Sequence, residues 1–341
     1  MKQTSTLKID AFSHITPAKY LAALDKLSPR AAGQAIFPTR PVAPPLYDLE
    51  HRFRILDKYD GMVQVLTLGF PAIEDIAGPE KSPDLARLAN EQMAELVTKY
   101  PDRFVAAIAY LPMNNMDAAL READRAIKDL KLRGVYINSH VNGKPLDSPE
   151  FMPLYEKMAH YELPIYIHPH RAADFADYKT ETEAKYDTNS VFGWLYDTTI
   201  AMTRLVFSGV LEKYPNLKIV THHCGAMVPY FEQRIIQHYS KYETEYGRQY
   251  MKGLSRPPIE YYKLFYTDTA IHGNPLSLMC ARGFYGADHL LFAADMPLGD
   301  SEFGIRSYRQ TIDAIEAMDI TADERRTIFA DNVRKLLRLP V

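Results

Sequence analysis

The stretch LKIVTHHCG, Leu217 to Gly225, shows the pattern from which the fold can be predicted. It begins as a short apolar, β-branched run, which is typical of a strand buried on both faces, and it ends in two adjacent histidines. Seven other stretches share this apolar character, and several also end in a polar residue. The eight predicted strands are LKIDAF (from Leu7), MVQVLTL (from Met62), FVAAIAYL (from Phe104), GVYINS (from Gly134), PIYIHP (from Pro164), LKIVTH (from Leu217), LFYTDT (from Leu264) and LLFAAD (from Leu290).

Longer segments with apolar residues three or four positions apart separate these strands. One of them, SPDLARLANEQMAELVTKY, predicts a helix with Ser82 as its N-cap, and MDAALREADRAIKDLKL predicts a helix that ends before Gly134. Eight such βα units predict an α/β fold, a single (β/α)8 TIM barrel domain over residues 1–341. An open doubly wound sheet is the alternative, but no glycine-rich phosphate loop follows the first strand.

Composition narrows the classes of partner. The 341 residues are 47% hydrophobic and 24% charged, which suits a globular protein with a sizeable core. A formal net charge of −3 argues against a nucleic-acid partner, and no apolar run has membrane-spanning length, so we expect a cytoplasmic protein. The two cysteines, Cys224 and Cys280, show no metal-binding spacing, and we expect both to be buried thiols.

Two long polar or proline-rich connections follow predicted strands one and five, from Ala35 to Asp48 and from Arg171 to Ser190. In a barrel these connections lie at the active-site rim, where long loops serve as lids. The second connection carries Phe175, Tyr178 and Tyr186, and aromatic side chains among charges need a surface to cover. We expect it to close over the pocket or to cross to a second subunit, although a plain surface excursion is the alternative.

Polar side chains end most of the predicted strands. A single histidine in this position is more often structural than functional, but a barrel brings all its strand ends around one pocket. The joint pattern therefore predicts a site. The strand-end residues are His14, His168, His170, His222, His223, Asp268 and Asp295.

Imidazole and carboxylate are the ligand types for Zn²⁺, Mn²⁺ or Fe²⁺, and a catalytic site needs about three protein ligands with one position left open. His14, His168 and Asp295 supply such a set. His223 is then available as a general acid or base, because an imidazole exchanges protons near neutral pH.

At these residues the sequence resembles a known family. The stretches YDTTIAMTRLVFSGVLEKYPNLKIVTHHCGAMVPYFEQRI, FYTDTAIHGNPLSLMCARGFYGADHLLFAADMPLG and FADNVRKLLRL resemble the amidohydrolase-related family of aminocarboxymuconate-semialdehyde decarboxylase and γ-resorcylate decarboxylase. The resemblance covers almost the whole chain. It implies a distorted (β/α)8 barrel with long rim loops and C-terminal helices, one divalent metal ion, zinc or manganese, and a homodimer or higher homo-oligomer.

Matched by position, the resemblance implies His14, His168 and Asp295 as metal ligands and His223 as the catalytic histidine, with Asp295 also able to handle a proton. Arg234, in FEQRI, matches an arginine that can reach a substrate carboxylate. The role of Arg234 comes from the resemblance alone, whereas the strand-end pattern also indicates the other four residues.

Phe12 departs from the family pattern, since relatives have histidine or glutamate at this position. His14, His168 and Asp295 still form a two-histidine, one-carboxylate set, so metal binding is expected. Either His170 or His222 is near enough in sequence to compensate, and His222 falls where relatives have a small residue. We expect Phe12 to form an apolar wall beside the site, and Phe12, His170 and His222 to contact the substrate.

The pattern and the resemblance together predict a metal-dependent, non-oxidative decarboxylase of an aromatic or unsaturated carboxylic acid. The closest alternative is a hydrolase or hydratase on the same barrel, in which metal-activated water attacks a lactone, an amide or an activated double bond. A catalytically silent barrel that binds a ligand is the third possibility. Release of CO2 or uptake of solvent oxygen into the product distinguishes the first two.

Overall fold

The computed structural model describes residues 6–27 and 43–340. Their strands form a (β/α)8 barrel, as the alternating patterns predicted, and each barrel strand starts within two residues of its predicted start. The strands are β1 (Lys8–Ile15), β2 (Met62–Leu68), β3 (Phe104–Ala107), β4 (Ala109–Tyr110), β5 (Val135–Asn138), β6 (His140–Val141), β7 (Lys144–Pro145), β8 (Ile165–His168), β9 (Ile219–Thr221), β10 (Tyr266–Asp268) and β11 (Leu290–Leu291).

The barrel strands pair in parallel in the order β1, β2, β3/β4, β5, β8, β9, β10, β11. The strands β3 and β4 form one barrel strand interrupted at Ile108, whose N–H donates to Leu66 O at 2.9 Å. The barrel closes where Ala11 N–H donates to Phe292 O at 2.8 Å. The strands β6 and β7 form an antiparallel hairpin outside the barrel.

Helices follow the strands and pack their apolar sides against the barrel. They are α1 (Ala18–Leu27), α2 (Leu49–Leu56), α3 (Ile73–Ile76), α4 (Ser82–Lys99), α5 (Met116–Lys128), α6 (Met152–Tyr161), α7 (Trp194–Phe207), α8 (Val210–Lys213), α9 (Glu232–Tyr246), α10 (Pro258–Tyr262), α11 (Pro275–Tyr285), α12 (Ile305–Glu316), α13 (Ala322–Arg326) and α14 (Asn332–Leu337). Short 3₁₀ turns lie at Pro44–Leu46, Pro149–Phe151 and Ala287–His289, and π-helical turns at Asn189–Gly193 and Thr327–Asp331.

Two local predictions were wrong. The N-cap of α4 is Lys81, and Ser82 is already helical, with its hydroxyl donating to Asn114 Oδ1 at 2.6 Å. A tertiary partner for the Ser82 hydroxyl therefore replaced the local cap. Cys224 is a buried thiol as expected, but Cys280 is exposed, because it lies on the outer face of α11.

The structure describes the second rim connection in full but only part of the first. Residues 28–42 lie outside the described part of the chain, so most of the first connection does too. In the second, the Arg171 guanidinium covers the Phe175 ring at 3.8 Å, whereas Tyr178 and Tyr186 are 72% and 94% exposed. Both tyrosines face solvent, so closure over the pocket or contact with a second subunit stays a prediction. None of the helices within residues 6–27 and 43–340 has the length and apolarity of a bilayer span.

Candidate metal centre

The polar strand ends meet in one buried cluster at the C-terminal end of the barrel. His14 belongs to β1, His168 ends β8, and His222 follows β9. A ring nitrogen of each of these histidines lies within 4.8 Å of a ring nitrogen of the other two. Asp295, four residues beyond β11, joins them, since its Oδ1 lies 3.2 Å from His14 Nε2. The structure therefore brings the predicted set of His14, His168 and Asp295 together and adds His222 to it.

Each of the three imidazoles is held through its Nδ1 atom. His14 Nδ1 lies 3.3 Å from Leu68 O, and His168 Nδ1 lies 2.7 Å from Pro169 O. The Nδ1 of His222 donates to Asp268 Oδ2. An oxygen acceptor at Nδ1 fixes the tautomer in which Nε2 carries the lone pair, and this is how metal-binding histidines are usually oriented.

This donor set fits a divalent metal ion. His14 Nε2 is buried without hydrogen-bond geometry to any described group, although Asp295 lies beside it. Burial and the neighbouring histidines hold the pKa of His168 well below its usual range, so this ring is neutral. Imidazole nitrogens that converge beside a carboxylate are the ligands that Zn²⁺ and Mn²⁺ accept.

His222 and Asp295 are electrostatically coupled, with Nε2 and Oδ1 3.3 Å apart. Burial by itself lowers the pKa of His222, but Asp268 and Asp295 outweigh it and raise the pKa to about 10. For Asp295, burial raises the pKa, yet the His14 and His222 imidazoles, whose Nε2 atoms lie 3.2 and 3.3 Å from its Oδ1, hold the pKa well below its usual range. Without a metal ion, the His222 imidazolium thus balances part of the carboxylate charge.

His223 lies beside this cluster but has a different environment. It is 7% exposed, its Nδ1 has no hydrogen-bond partner among the described residues, and its ring stacks on Trp194 with centroids 6.2 Å apart. Burial, followed by the positive charge of His222, lowers the pKa of His223 to about 3. The ring is therefore neutral at pH 7 and can accept or donate a hydrogen bond to a bound molecule.

Phe12 is buried within the cluster. Its ring stacks on His222 with centroids 4.2 Å apart and an interplanar angle of 24°, and it lies 5.4 Å from the His14 ring. Residues two apart on a strand share a face, which is why Phe12 and His14 point to the same place. The ring provides the apolar wall that the sequence predicted.

Two aromatic residues that sequence reasoning missed complete the wall. Phe70 lies 4.7 Å from His168 and stacks on Trp194 at 5.6 Å, both measured between ring centroids. Trp194 donates its indole N–H to Arg171 O at 3.2 Å, which ties it to the rim connection. Trp194 is the only tryptophan in the sequence and lies four residues after the end of that connection. This position could have indicated that it lines the site. Asp268 was noted as a strand end, but its contact with His222 was not predicted.

His170 is not part of the cluster. Its Nε2 lies 3.1 Å from Asp75 Oδ2, and its backbone N–H donates to Ser139 Oγ at 2.9 Å. Burial would lower the pKa of His170, but the hydrogen bond and charge of Asp75 raise it. Of the two residues expected to compensate for Phe12, the structure therefore directs only His222 to the site.

Two arginines, Arg234 and Arg52, lie in contrasting environments. Arg234 is exposed on α9, and the structure does not bring it to the cluster. Arg52, on α2, is fully buried. Its guanidinium donates to His14 O at 2.7 Å, Ser13 Oγ at 2.6 Å and Gln64 Oε1 at 2.8 Å. Arg52 thus fixes the backbone of β1 that carries His14.

Comparison with known proteins matches the chain to a family and to several decarboxylases. The family model described as amidohydrolase matches residues 56–339. A γ-resorcylate decarboxylase from a Polaromonas species is 28% identical over 306 residues, which cover 85% of this chain and 87% of the relative.

Solved structures agree with the barrel. A 2,6-dihydroxybenzoate decarboxylase in complex with 2,6-dihydroxybenzoate is 25% identical and superimposes with a TM-score of 0.81, over 98% of this chain and 100% of that chain. A dihydroxybenzoic acid decarboxylase from Polaromonas, with bound manganese and 2-nitroresorcinol, is 25% identical with a TM-score of 0.75, over 98% and 97% of the two chains.

Proposed function

The chain belongs to the amidohydrolase family, and we propose that it is a metal-dependent, non-oxidative decarboxylase of an aromatic carboxylic acid. The observation that carries this proposal is the buried cluster of His14, His168, His222 and Asp295 at the mouth of the barrel. The decarboxylases among the relatives and the manganese-bound neighbour support the same chemistry. The enzyme is thus a carbon–carbon lyase.

The cofactor is a divalent metal ion, manganese or zinc, which His14, His168 and Asp295 would hold. When bound, it would supply positive charge that stabilises negative charge on the substrate as CO2 leaves. The substrate is an aromatic acid with a hydroxyl group beside the carboxylate, the type of molecule named for the relatives.

Asp295 and His223 move the protons. Because Asp295 is ionised in the resting site, it takes the proton of the substrate hydroxyl when the substrate binds. It then gives this proton to the ring carbon that bears the carboxylate. The carbon–carboxylate bond breaks, CO2 leaves, and the electron pair restores the aromatic ring with a negative charge on the former hydroxyl oxygen. Neutral His223 hydrogen-bonds the substrate and passes a proton from solvent to that oxygen.

The apolar wall favours decarboxylation over water attack. Phe12, Phe70 and Trp194 surround the histidines, with ring centroids 4.2 to 6.2 Å from those of a neighbouring histidine. Such a surface limits the water near the cluster, and loss of CO2 needs no attacking water. Phe12 and His170 are the proposed apolar and polar contacts of the substrate.

The proposed experiment supplies Mn²⁺ to metal-depleted protein and measures CO2 release from a panel of benzoic acids with one or two hydroxyl groups beside the carboxylate. We expect CO2 release and no incorporation of solvent oxygen. Replacing His14, His168 or Asp295 with alanine should abolish release and lower the metal content while the barrel stays folded.

Two results would contradict this function. Solvent ¹⁸O in the product would indicate the hydrolase or hydratase alternative. Fully metal-loaded protein that turns over none of the acids, yet binds one of them tightly, would indicate a silent ligand-binding barrel.

We further propose a cytoplasmic homodimer or higher homo-oligomer. The free thiols of Cys224 and Cys280 support a reducing compartment. Three exposed apolar side chains four positions apart, Phe192, Tyr196 and Ile200, support a subunit contact.

A further inference from the structure

The resemblance implies a histidine or glutamate at the position of Phe12, and the structure places the His222 ring against Phe12. The Phe12 ring cannot bind a metal ion, but it stacks on the His222 ring at 4.2 Å. Because the two rings are in direct contact, His222 lies beside the place that a ligand from residue 12 of β1 would occupy. One ring nitrogen of His222 lies within 4.8 Å of a ring nitrogen of His14 and of His168.

We propose that His222 fills the ligand position that Phe12 leaves open, and that Asp268 holds it there. This inference rests on the proposed metal-dependent function and deepens it. The ligand set becomes His14, His168, His222 and Asp295, three imidazoles and one carboxylate. Such a nitrogen-rich set satisfies both manganese and zinc.

Asp268 has the geometry of a positioning residue. Its Oδ2 accepts the hydrogen bond from His222 Nδ1, while its Oδ1 accepts from Ala270 N–H at 3.0 Å and from Cys224 N–H at 3.4 Å. The carboxylate is fully buried and held at both oxygens, so it fixes the imidazole plane with Nε2 toward Asp295. Carboxylate–histidine pairs orient metal ligands in this way.

His170, the other candidate ligand, binds a different carboxylate. His170 is as close to its strand end as His222 is, but Asp75 binds its Nε2 at 3.1 to 3.2 Å. It therefore provides a matched control, a mostly buried histidine near the site that is expected to leave the metal unaffected.

The test is metal affinity without substrate. Isothermal titration of metal-depleted protein with Mn²⁺ should show that His222→Asn weakens binding by at least about 100-fold, because Asn keeps a donor for Asp268 but has no atom at the Nε2 position. Asp268→Asn should weaken it by about 10- to 100-fold, whereas His170→Ala should bind within about twofold of the wild type. Circular dichroism confirms that each variant is folded.

Rescue tests the replacement itself. Adding Phe12→His to His222→Asn should recover most of the lost Mn²⁺ affinity, because the new imidazole enters from β1. No recovery in a folded double variant would overturn the replacement of Phe12 by His222, and so would wild-type affinity in His222→Asn.

The number of imidazole ligands can also be counted in the wild-type protein, without any substitution. Pulsed EPR of bound Mn²⁺ should detect three ligating imidazoles, and a count of two would overturn the inference. A failed rescue or a count of two imidazoles would overturn only the role of His222, because the wild type could still release CO2. Failure of the wild type to bind any metal would instead overturn both this inference and the proposed function.

Discussion

At the scale of single residues, two adjacent histidines show how contacts control protonation. His222 and His223 are both buried, yet the pKa of the first is raised to about 10 and that of the second lowered to about 3. Burial disfavours the charged ring in both. Only His222 touches carboxylates, and their attraction outweighs its desolvation. Neighbours in sequence thus have different chemistry, one as a charged or metal-bound group and the other as a neutral hydrogen-bonding group.

Replacing His223 tests this division. We expect His223→Asn to lower turnover by about 10²- to 10⁴-fold, the usual contribution of a positioned acid or base. The Mn²⁺ content should stay at the wild-type level, because His223 is outside the ligand set. Steady-state kinetics and metal analysis measure both, and loss of metal in this variant would contradict the assignment.

Asp10 predicts a pH effect on stability. Burial raises its pKa to about 6 from about 3.8, although Tyr308 and the Phe12 N–H donate hydrogen bonds to it. The folded state therefore binds the proton more tightly than the unfolded chain, and folding stability falls as pH rises from about 4 to about 6.

Asp10→Asn cannot ionise and should not show this loss. Relative to the variant, the wild type should lose roughly 2–3 kcal/mol of unfolding free energy between pH 4 and pH 7, at about 1.4 kcal/mol for each pKa unit. Urea denaturation at several pH values measures this difference. Parallel pH profiles for the two proteins would show that Asp10 does not have the raised pKa.

At the scale of elements, the connection after β9 orients His222 and His223. His223, Cys224, Gly225 and Ala226 have consecutive φ values of 59°, 59°, 73° and 55°. Left-handed backbone costs about 1–2 kcal/mol for each residue with a Cβ, so this run stores strain that surrounding contacts must offset. It turns the chain directly after His222, so that His222 and His223 both face the cluster.

Gly225→Ala should disturb this turn. A Cβ at residue 225 would lie 2.5 Å from the Tyr285 hydroxyl oxygen, in addition to the strain of its positive φ. We expect a destabilisation of more than about 2 kcal/mol and reduced turnover, because His223 must move. Thermal unfolding and kinetics report the two effects.

Gly143→Ala is the matched control. Gly143 has a φ of 77°, but nothing lies within 4 Å of its added Cβ, and it is in the β6–β7 hairpin. The Gly143→Ala substitution should lower the free energy of unfolding by only about 1–2 kcal/mol and leave turnover unchanged. Equal effects of the two substitutions would mean that the close contact with Tyr285 is unimportant.

At the scale of the whole molecule, barrel closure determines the site. Residues 14, 168, 222 and 295 are far apart in sequence, and they meet because β1 bonds to the segment that follows β11. The buried Arg52 holds β1 in place, since its guanidinium ties α2 to the His14 carbonyl. That residues 1–341 form one domain stays a prediction.

Association of subunits is testable at this scale. The exposed fractions of Phe192, Tyr196 and Ile200 are 66%, 50% and 38%. If this stripe forms the subunit contact, Phe192→Glu combined with Tyr196→Glu should yield monomers in analytical ultracentrifugation, because buried carboxylates oppose association. Leu276→Glu, at an 80% exposed residue of α11, should leave the wild-type mass. An unchanged mass for the double variant would exclude this stripe as the contact.

The positions of the eight strands, and the end of the barrel that carries the site, could be predicted from the amino-acid pattern alone. Strand positions depend on short apolar runs, and parallel strand ends share one face of a barrel wherever their side chains finally point. For the same reason His14, His168 and Asp295 were predicted together, and the structure brings them together.

Which other side chains join these three depends on contacts made in the folded barrel. His170 and His222 look equivalent in sequence, but Asp75, 95 residues away, binds the first, and Asp268, 46 residues away, binds the second. Trp194, Phe70 and Arg52 were likewise placed by packing. Hydrogen bonds and ring contacts between residues distant in the chain depend on the closed barrel, and no local pattern of apolar and polar residues encodes them.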